Sequence, residues 1–243
     1  MDHKISDSQS NKSAKRSPTR VIATTIGVFF GLFSSINHGI FEILQGNTPT
    51  NGLLINAIGE AQRFWPEGTE PAFTLIPNFM LTGIAAILVG VAIVIWSIWY
   101  LPTKHGRKIY LSLFILSFLV GGGIGQAFFF IPGWAFATRM GKPLTWWKRV
   151  LPHRSWPFLS RLWKFTLSLA VALMLIGLEM AIFGYFPGKL ADEELMSVNM
   201  LFVFGSAILF VISFIAGFGQ ELLRQETKNT AGTQKNELKG EIA

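Results

Sequence analysis

The chain has 243 residues, of which 50% are hydrophobic and only 14% are charged, with a net charge of +7 and no cysteine. A soluble domain of this length would expose more charged residues, so the composition predicts an integral membrane protein. The lack of cysteine excludes disulfides, thiolate catalysis, iron–sulfur clusters and cysteine-ligated zinc. The basic residues flank apolar segments, which argues against a nucleic-acid partner and favours an anionic membrane surface.

Five apolar stretches are each long enough for a helix to enter or cross a bilayer. They cover residues 21–45, 76–101, 109–138, 165–186 and 196–220. We expect the first stretch to stay uncleaved as an anchor, the alternative being removal as a signal peptide near Ser34 and Ser35. The polar tails, 1–20 and 221–243, are predicted to be disordered and cytoplasmic.

The distribution of the 21 Lys and Arg residues predicts how the chain is threaded. If all five stretches crossed once with the N-terminus inside, nine positive residues would lie inside and 12 outside, against the positive-inside bias. If 109–138 enters and returns to the cytoplasmic side, 19 lie inside, and only Arg63 and Lys189 lie outside. We therefore predict an all-α, polytopic transmembrane bundle within residues 21–220, with four full spans, one hairpin and cytoplasmic termini.

A glycine cluster gives the stretch 109–138 a physical means of reversing direction. Gly121, Gly122, Gly123 and Gly125 lie near its middle, and their backbone freedom breaks a helix and permits a tight turn. Broken backbone at membrane depth must be covered by protein or line a wet cavity, so we expect the other spans to enclose this hinge. The alternative is one long, tilted helix whose small residues allow close packing.

The segment 142–164 interleaves aromatic with basic residues. Tryptophan favours the headgroup level and basic side chains favour anionic lipid headgroups, so we predict a segment that lies in the plane of the cytoplasmic membrane surface. A protein-docking surface is the alternative. The residues that carry this prediction are Trp146, Trp147, Lys148, Arg149, Trp156 and Trp163.

Ionisable residues inside the apolar stretches are the candidates for chemistry, because a charge near the bilayer centre is costly and has to be turned into the bundle. His38, Glu42 and Glu179 are the residues of this kind. In the first stretch, polar residues recur every three or four positions and therefore share one helix face. That face carries Ser34, Ser35, His38, Glu42 and Gln45.

Depth along the helices predicts that the three ionisable residues meet. At a rise of about 1.5 Å per residue, His38 and Glu42 lie roughly 12 and 6 Å below the outer end of their stretch, and Glu179 lies roughly 10 Å below the outer end of its own. A ligand or proton site is thus predicted in the outer half. Supporting polar residues are Ser35, Gln45, Asn78, Gln126 and Asn199. The alternative is that these residues are polar glue between spans.

The external loop 46–75 contains an apolar run beginning at Leu53 and ending at Trp65. This run predicts a short amphipathic helix, either an interfacial anchor or a lid over the polar site.

Three segments resemble small polytopic membrane proteins of bacteria that have no known activity. They are NHGIFEILQGNTPT (37–50), IPNFM (76–80) and GGGIG (121–125), and the resemblance covers roughly residues 37–139. It implies a multi-pass protein of the bacterial inner membrane and brings no activity or site with it.

Two functions from different classes are consistent with these features. We favour a proton-linked carrier or binding protein for a small polar solute, with His38, Glu42 and Glu179 at its site. The alternative is a non-catalytic membrane protein that supports or regulates an unidentified protein partner. An enzyme ranks last, because no nucleophile motif, metal-ligand spacing or nucleotide fingerprint accompanies these residues, and we expect neither a metal nor a cofactor.

Overall fold

The computed structural model of the protein describes residues 17–188 and 191–241, with side chains through residue 232. In chain order its elements are α1 (Pro18–Leu44, with a π-helical segment Gly31–Ile36), β1 (Leu54–Asn56), β2 (Pro71–Phe73), α2 (Phe79–Tyr100, π-helical from Trp96), α3 (Gly106–Leu119), α4 (Ala127–Ala137), α5 (Thr145–Val150), a 3-10 turn (His153–Ser155), α6 (Trp156–Phe183) and α7 (Asp192–Glu241). Helices α1, α2, α6 and α7 each contain a stretch long and apolar enough to cross a membrane, which confirms the prediction of four long apolar helices.

Helix α1 lies at the centre of the fold, and the core is built around it. Its residues Ile22, Ala23, Ile26, Phe29 and Phe30 are all buried in the main hydrophobic cluster. Helix α1 contacts α2, α4 and α7, whereas α6 and α7 make most of their contacts with each other. The molecule therefore consists of an α6–α7 pair packed against a bundle of α1 to α4.

Glycines bring the backbones of α1 and α2 into direct contact. A Cβ atom on Gly39 would lie 2.6 Å from the carbonyl oxygen of Gly83, and one on Gly83 would lie 2.5 Å from the carbonyl oxygen of Gly39. About two turns further along α2, a Cβ on Gly90 would lie 2.7 Å from the carbonyl oxygen of Gly31. Small residues at the contact between two helices permit this close approach inside a membrane.

The substitution Gly83→Ala is expected to destabilise the fold by about 1–3 kcal/mol, because the added methyl group collides with backbone that cannot rotate away. Gly52→Ala is the matched control, since a Cβ at Gly52 would meet only the Leu54 carbonyl oxygen at 3.9 Å. Unfolding of the purified proteins in mixed micelles by increasing SDS measures the difference. Equal losses for the two variants would contradict the close packing of α1 and α2.

The apolar stretch 109–138 is two helices with a break at the glycine cluster. Helix α3 ends at Leu119, α4 begins at Ala127, and the two helices contact each other. Between them Gly121 and Gly123 have φ values of +96° and +89°, which side-chain-bearing residues rarely adopt. The return of this segment to the side from which it entered remains a prediction.

The loop 46–75, predicted to be external and called the external loop below, forms a strand pair, so the prediction of a short helix there is wrong. Strands β1 and β2 pair antiparallel, with Ile55 opposite Ala72. Ile55 and Ala57 are buried while Leu54 and Asn56 are exposed, which is the two-residue period of a strand. The apolar run hides this alternation because the exposed Leu54 is also hydrophobic.

The aromatic and basic segment 142–164 divides into two parts. In α5, Trp146 is exposed and Trp147 stacks on Phe218, with 4.4 Å between the ring centroids. Trp156 and Trp163 belong to α6 and are only 2% and 5% exposed, so both lie in the core. Of the six residues predicted at the membrane surface, Trp146, Lys148 and Arg149 are exposed.

Four chain segments meet at one end of the molecule, which we call the basic end. A cavity there is lined by Ser17 and Arg20, Pro102 and Arg107, Met140 and Gly141, and Glu221, Arg224 and Lys228. The segment after residue 220, predicted to be disordered, continues α7 as a helix to Glu241. The predicted tail up to residue 16, together with Lys189, lies outside the described residues.

Candidate functional site

The polar face of α1 lies against the glycine loop, which we define as residues 120–126. A Cβ on Gly123 would lie 2.7 Å from Cε1 of His38 and 2.8 Å from the Ser34 hydroxyl. A Cβ on Gly121 would collide with the Glu42 carboxylate. The absence of side chains at these two glycines therefore lets the loop backbone lie directly on His38 and Glu42.

Hydrogen bonds hold the glycine loop in this conformation. The Gln126 side-chain amide donates to the carbonyl oxygens of Gly122 at 2.8 Å and Gly123 at 3.1 Å, and to the Ser117 hydroxyl at 3.0 Å. Ser117 in turn bonds the Ser35 hydroxyl on α1, and Ser34 donates to the Gly122 carbonyl. Ser35 and Gln126, predicted as supporting residues, thus shape the loop. Ser117 was missed, although it is a hydroxyl in an apolar helix.

Strand β2 and the residues after it cover the glycine loop. The Gly121 amide donates to the Phe73 carbonyl at 2.9 Å, and the Leu75 amide donates to the Leu119 carbonyl at 2.9 Å. Glu42 beneath them is fully buried, and neither carboxylate oxygen has a hydrogen-bond partner in the structure. An ionisable side chain enclosed in this way is costly unless it holds a proton or meets a polar ligand.

A cavity of about 390 Å³ opens between the polar face of α1, the glycine loop and the α6–α7 pair. Most of its wall is apolar, with Phe29, Phe30, Phe33, Phe129, Met174 and Val203 among the lining residues. Its polar lining residues are Ser34, His38, Glu70, Gln126 and Asn199. Among the described residues, two of these side chains carry a buried atom without a hydrogen-bond partner, Nδ1 of His38 and Oδ1 of Asn199. The wall therefore offers a few polar positions within an apolar enclosure.

The other predicted site residues lie outside this cavity. Glu179 is exposed, because α6 turns Gly177, Leu178 and Ala181 towards the cavity and Glu179 away from it. Gln45 instead donates to the carbonyl oxygens of Asn56 at 3.1 Å and Ala57 at 2.7 Å and so holds the external loop.

Asn78, predicted at the rim of the site, caps the start of α2. Its Oδ1 accepts from the Leu81 amide at 3.0 Å, and its side-chain amide donates to Oδ1 of Asn47 at 2.7 Å. Both polar atoms of Asn78 are thereby used in fixing the chain at the entrance to α2. The structure brings together Ser35, His38, Glu42, Gln126 and Asn199 around the glycine loop and the cavity.

Glu70, which sequence analysis did not select, lines the cavity from the external loop just before β2. Its side chain is half-buried, and desolvation raises the pKa of its carboxyl group. No sequence pattern marked this residue, because it lies in a loop with other acidic residues that are exposed.

The variant Glu70→Gln is expected to be more stable than the parent protein at pH 8 and equally stable at pH 4. Because burial raises the pKa of Glu70, the folded protein holds this proton above pH 4.5, where the unfolded chain releases it, and stability falls as pH rises. Below both pKa values the carboxyl group is neutral in each state, and the difference vanishes. Melting temperatures of both proteins in detergent between pH 4 and pH 8 measure this difference in stability. If Glu70→Gln is less stable than the parent at pH 8, the burial of this carboxyl group is contradicted.

The polar side chains at this site can exchange protons and can donate or accept hydrogen bonds. Among the residues that the structure describes, no group of three or more His, Asp or Glu side chains could hold a metal ion. Comparison of the chain with protein-family models, with curated proteins and with solved structures found no match. The function therefore has to be argued from the geometry of the cavity itself.

Proposed function

We propose that this membrane protein binds a small, mainly apolar solute with one or two polar groups in the cavity between α1 and the α6–α7 pair, and that it carries the solute with a proton. The observation that carries this proposal is that His38 and Asn199 both line one cavity, and that, among the described residues, each has a buried polar atom, Nδ1 and Oδ1 respectively, without a hydrogen-bond partner. A buried imidazole nitrogen and an amide oxygen can together hold a hydroxyl or amine group of a solute.

The adjacent Glu42 supplies the proton. His38 and Glu42 lie one helical turn apart on α1, and both contact the glycine loop. A solute that bonds His38 alters the environment of the buried carboxyl group, so that solute binding and proton binding become coupled. Glu179 is left out of the proposed site because its side chain is exposed on another face of α6.

The arrangement of the helices supports movement around this cavity. The α6–α7 pair forms one packed unit and meets the rest of the protein mainly through α1. A cavity between two such units can open alternately to each side when one unit rocks against the other. The unwound backbone of the glycine loop, at one wall, resembles the broken helices that line solute sites in transporters.

Support for the predicted threading comes from the basic end. Residues from the start of α1, the α2–α3 connection, the α4–α5 connection and the continuation of α7 line one cavity there. If 109–138 crossed the membrane as a full span, the α2–α3 connection and the α4–α5 connection would lie on opposite sides of the membrane. The proposal therefore keeps the hairpin topology, with the basic end cytoplasmic and the solute cavity in the outer half.

The alternative proposal, a non-catalytic protein with polar glue, is favoured by the hydrogen-bond network among Ser35, Ser117 and Gln126. This network joins α1, α3 and the glycine loop without reaching the cavity wall at Asn199. On this alternative, His38 and Glu42 serve only to seat the loop.

The experiment is a binding screen with a cavity-blocking variant. The purified protein in nanodiscs is screened by thermal shift against small aromatic and aliphatic alcohols, amines and carboxylic acids. Val203→Trp fills the cavity from α7, whereas Leu201→Trp adds the same side chain at a 70% exposed position of that helix. We expect a compound that stabilises the parent protein and Leu201→Trp but not Val203→Trp. Stabilisation of all three proteins alike, or of none by any compound, would overturn the proposal.

A further inference from the structure

A second cavity, at the basic end, has a different chemistry from the solute cavity. It has a volume of about 230 Å³, and its wall includes four cationic side chains from three helices, Arg20, Arg107, Arg224 and Lys228. Among the described residues that line it, Glu221 is the acidic one, so the charges of these residues sum to +3. Like charges held this close together repel one another unless an anion lies between them.

Among the described residues, neither Arg20 nor Arg107 forms an ion pair with an acidic side chain. Glu221 accepts from the Ser17 hydroxyl at 2.8 Å and lies 3.9 Å from the Arg224 guanidinium. Arg20 donates to the Ile98 carbonyl at 3.0 Å, which positions its side chain without neutralising it. The buried Nε atom of Arg107 has no hydrogen-bond partner in the structure.

The segments that form this wall are distant in sequence. Arg20 lies near the start of α1, Arg107 near the start of α3, and Arg224 with Lys228 on α7 beyond its apolar part. The folded bundle therefore assembles the four cations, which no single basic run in the sequence does. Guanidinium groups converging from several helices match the oxygens of a phosphate group, to which each can donate two hydrogen bonds.

We propose that this basic cavity binds a phosphate group, either that of an anionic phospholipid headgroup or that of a soluble phosphate. The site is separate from the solute cavity and from the exposed basic residues of α5, Lys148 and Arg149. Phospholipid is one source because the cavity lies at the ends of the membrane-spanning helices, where headgroups gather. Its function would be to hold the four ends of the bundle together.

The test compares two pairs of neutralised charges in the full-length protein. Arg107→Gln with Lys228→Gln removes two cations from the cavity, and Lys148→Gln with Arg149→Gln removes two exposed cations from α5. Native mass spectrometry counts phosphatidylglycerol retained by each protein, with phosphatidylcholine as the neutral lipid. In a second arm, inorganic phosphate is titrated into the protein in neutral nanodiscs while the melting temperature is followed.

We expect the cavity variant to bind the phosphate-bearing probe about 25-fold more weakly than the parent, because each cation removed weakens binding about fivefold. The α5 variant is expected to bind as the parent does. Retention of phosphatidylglycerol alone identifies the headgroup as the source, and stabilisation by inorganic phosphate identifies a soluble ligand; either supports the site. Equal losses in the two variants, or no binding in either arm, would overturn it. If the first variant folds poorly, Arg107→Lys tests the same position: it keeps the charge, loses the paired hydrogen bonds, and is expected to bind more weakly than the parent and more tightly than Arg107→Gln.

Discussion

Replacing Gly121 by alanine is expected to destabilise the protein by more than about 3 kcal/mol. Two costs add at this position. The φ value of +96° strains any residue that has a side chain, and the new Cβ would collide with the buried Glu42 carboxylate. SDS unfolding of the purified protein in micelles measures the loss.

Two further variants separate these costs. Gly46 has a φ value of +80° with no atom within 4 Å of an added Cβ, so Gly46→Ala carries the strain without the collision, about 1–2 kcal/mol. Glu42→Ala in the Gly121→Ala background removes the collision and is expected to recover part of the stability. If Glu42→Ala destabilises the two backgrounds equally, the glycine loop does not lie on Glu42.

The second large effect is expected from Glu42→Gln, which should abolish proton movement while leaving the protein folded. Glutamine has the shape of glutamate and no charge, so it removes the cost of an enclosed carboxylate without leaving a hole. In proteoliposomes with an internal pH dye, the solute identified by the cavity screen should move protons with the parent protein and not with this variant. Solute binding itself should change by no more than a few fold.

Two controls distinguish the proton function from polar glue. Glu42→Asp keeps a carboxyl group and should retain part of the proton movement. Ser117→Ala disturbs the network that holds the glycine loop without touching Glu42, so it should lower stability and leave proton coupling intact. Lower abundance of Glu42→Gln, with an unchanged ratio of protons to solute in the protein that remains, would favour glue.

The polar face of α1 could be predicted from sequence because several polar residues mark the same helix face. Ser35, His38 and Glu42 recur at the helical period, so the face they share has to be enclosed whatever packs against it. The break at the glycine cluster was predictable for a similar reason, since the backbone requirement at Gly121 and Gly123 is local.

Glu179 could not be placed in this way. It is a single carboxyl group in the apolar part of α6, residues 169–183, where no other polar side chain marks which face of the helix turns inward. A rotation of the helix by one residue moves such a side chain by about 100° around the axis. Depth along the helix therefore predicts the level of such a side chain and not its direction.

Trp156 and Trp163 illustrate a second limit. Tryptophan next to arginine and lysine is typical of the headgroup region, and the same pattern arises where a helix buries its aromatic face and exposes its basic one. Trp156 donates to the Leu151 carbonyl at 3.0 Å, which satisfies the indole N–H within the core.

The position of Glu70 beside the cavity depends on how the external loop folds back onto the helices. Local periodicity in the sequence does not encode such a long-range contact.

We propose that the four segments of the basic end share the cytoplasmic side and that the solute cavity lies towards the opposite surface. Because the chain has no cysteine, single cysteines at Gly141, Thr230 and Asn51 can each report one position when intact cells are treated with a membrane-impermeant maleimide. Asn51 is exposed in the external loop, and Gly141 and Thr230 are exposed near the basic end and on α7. We predict labelling at Asn51 in intact cells and labelling at Gly141 and Thr230 only after lysis. Labelling of Gly141 in intact cells would mean that 109–138 crosses the membrane, and it would contradict the account.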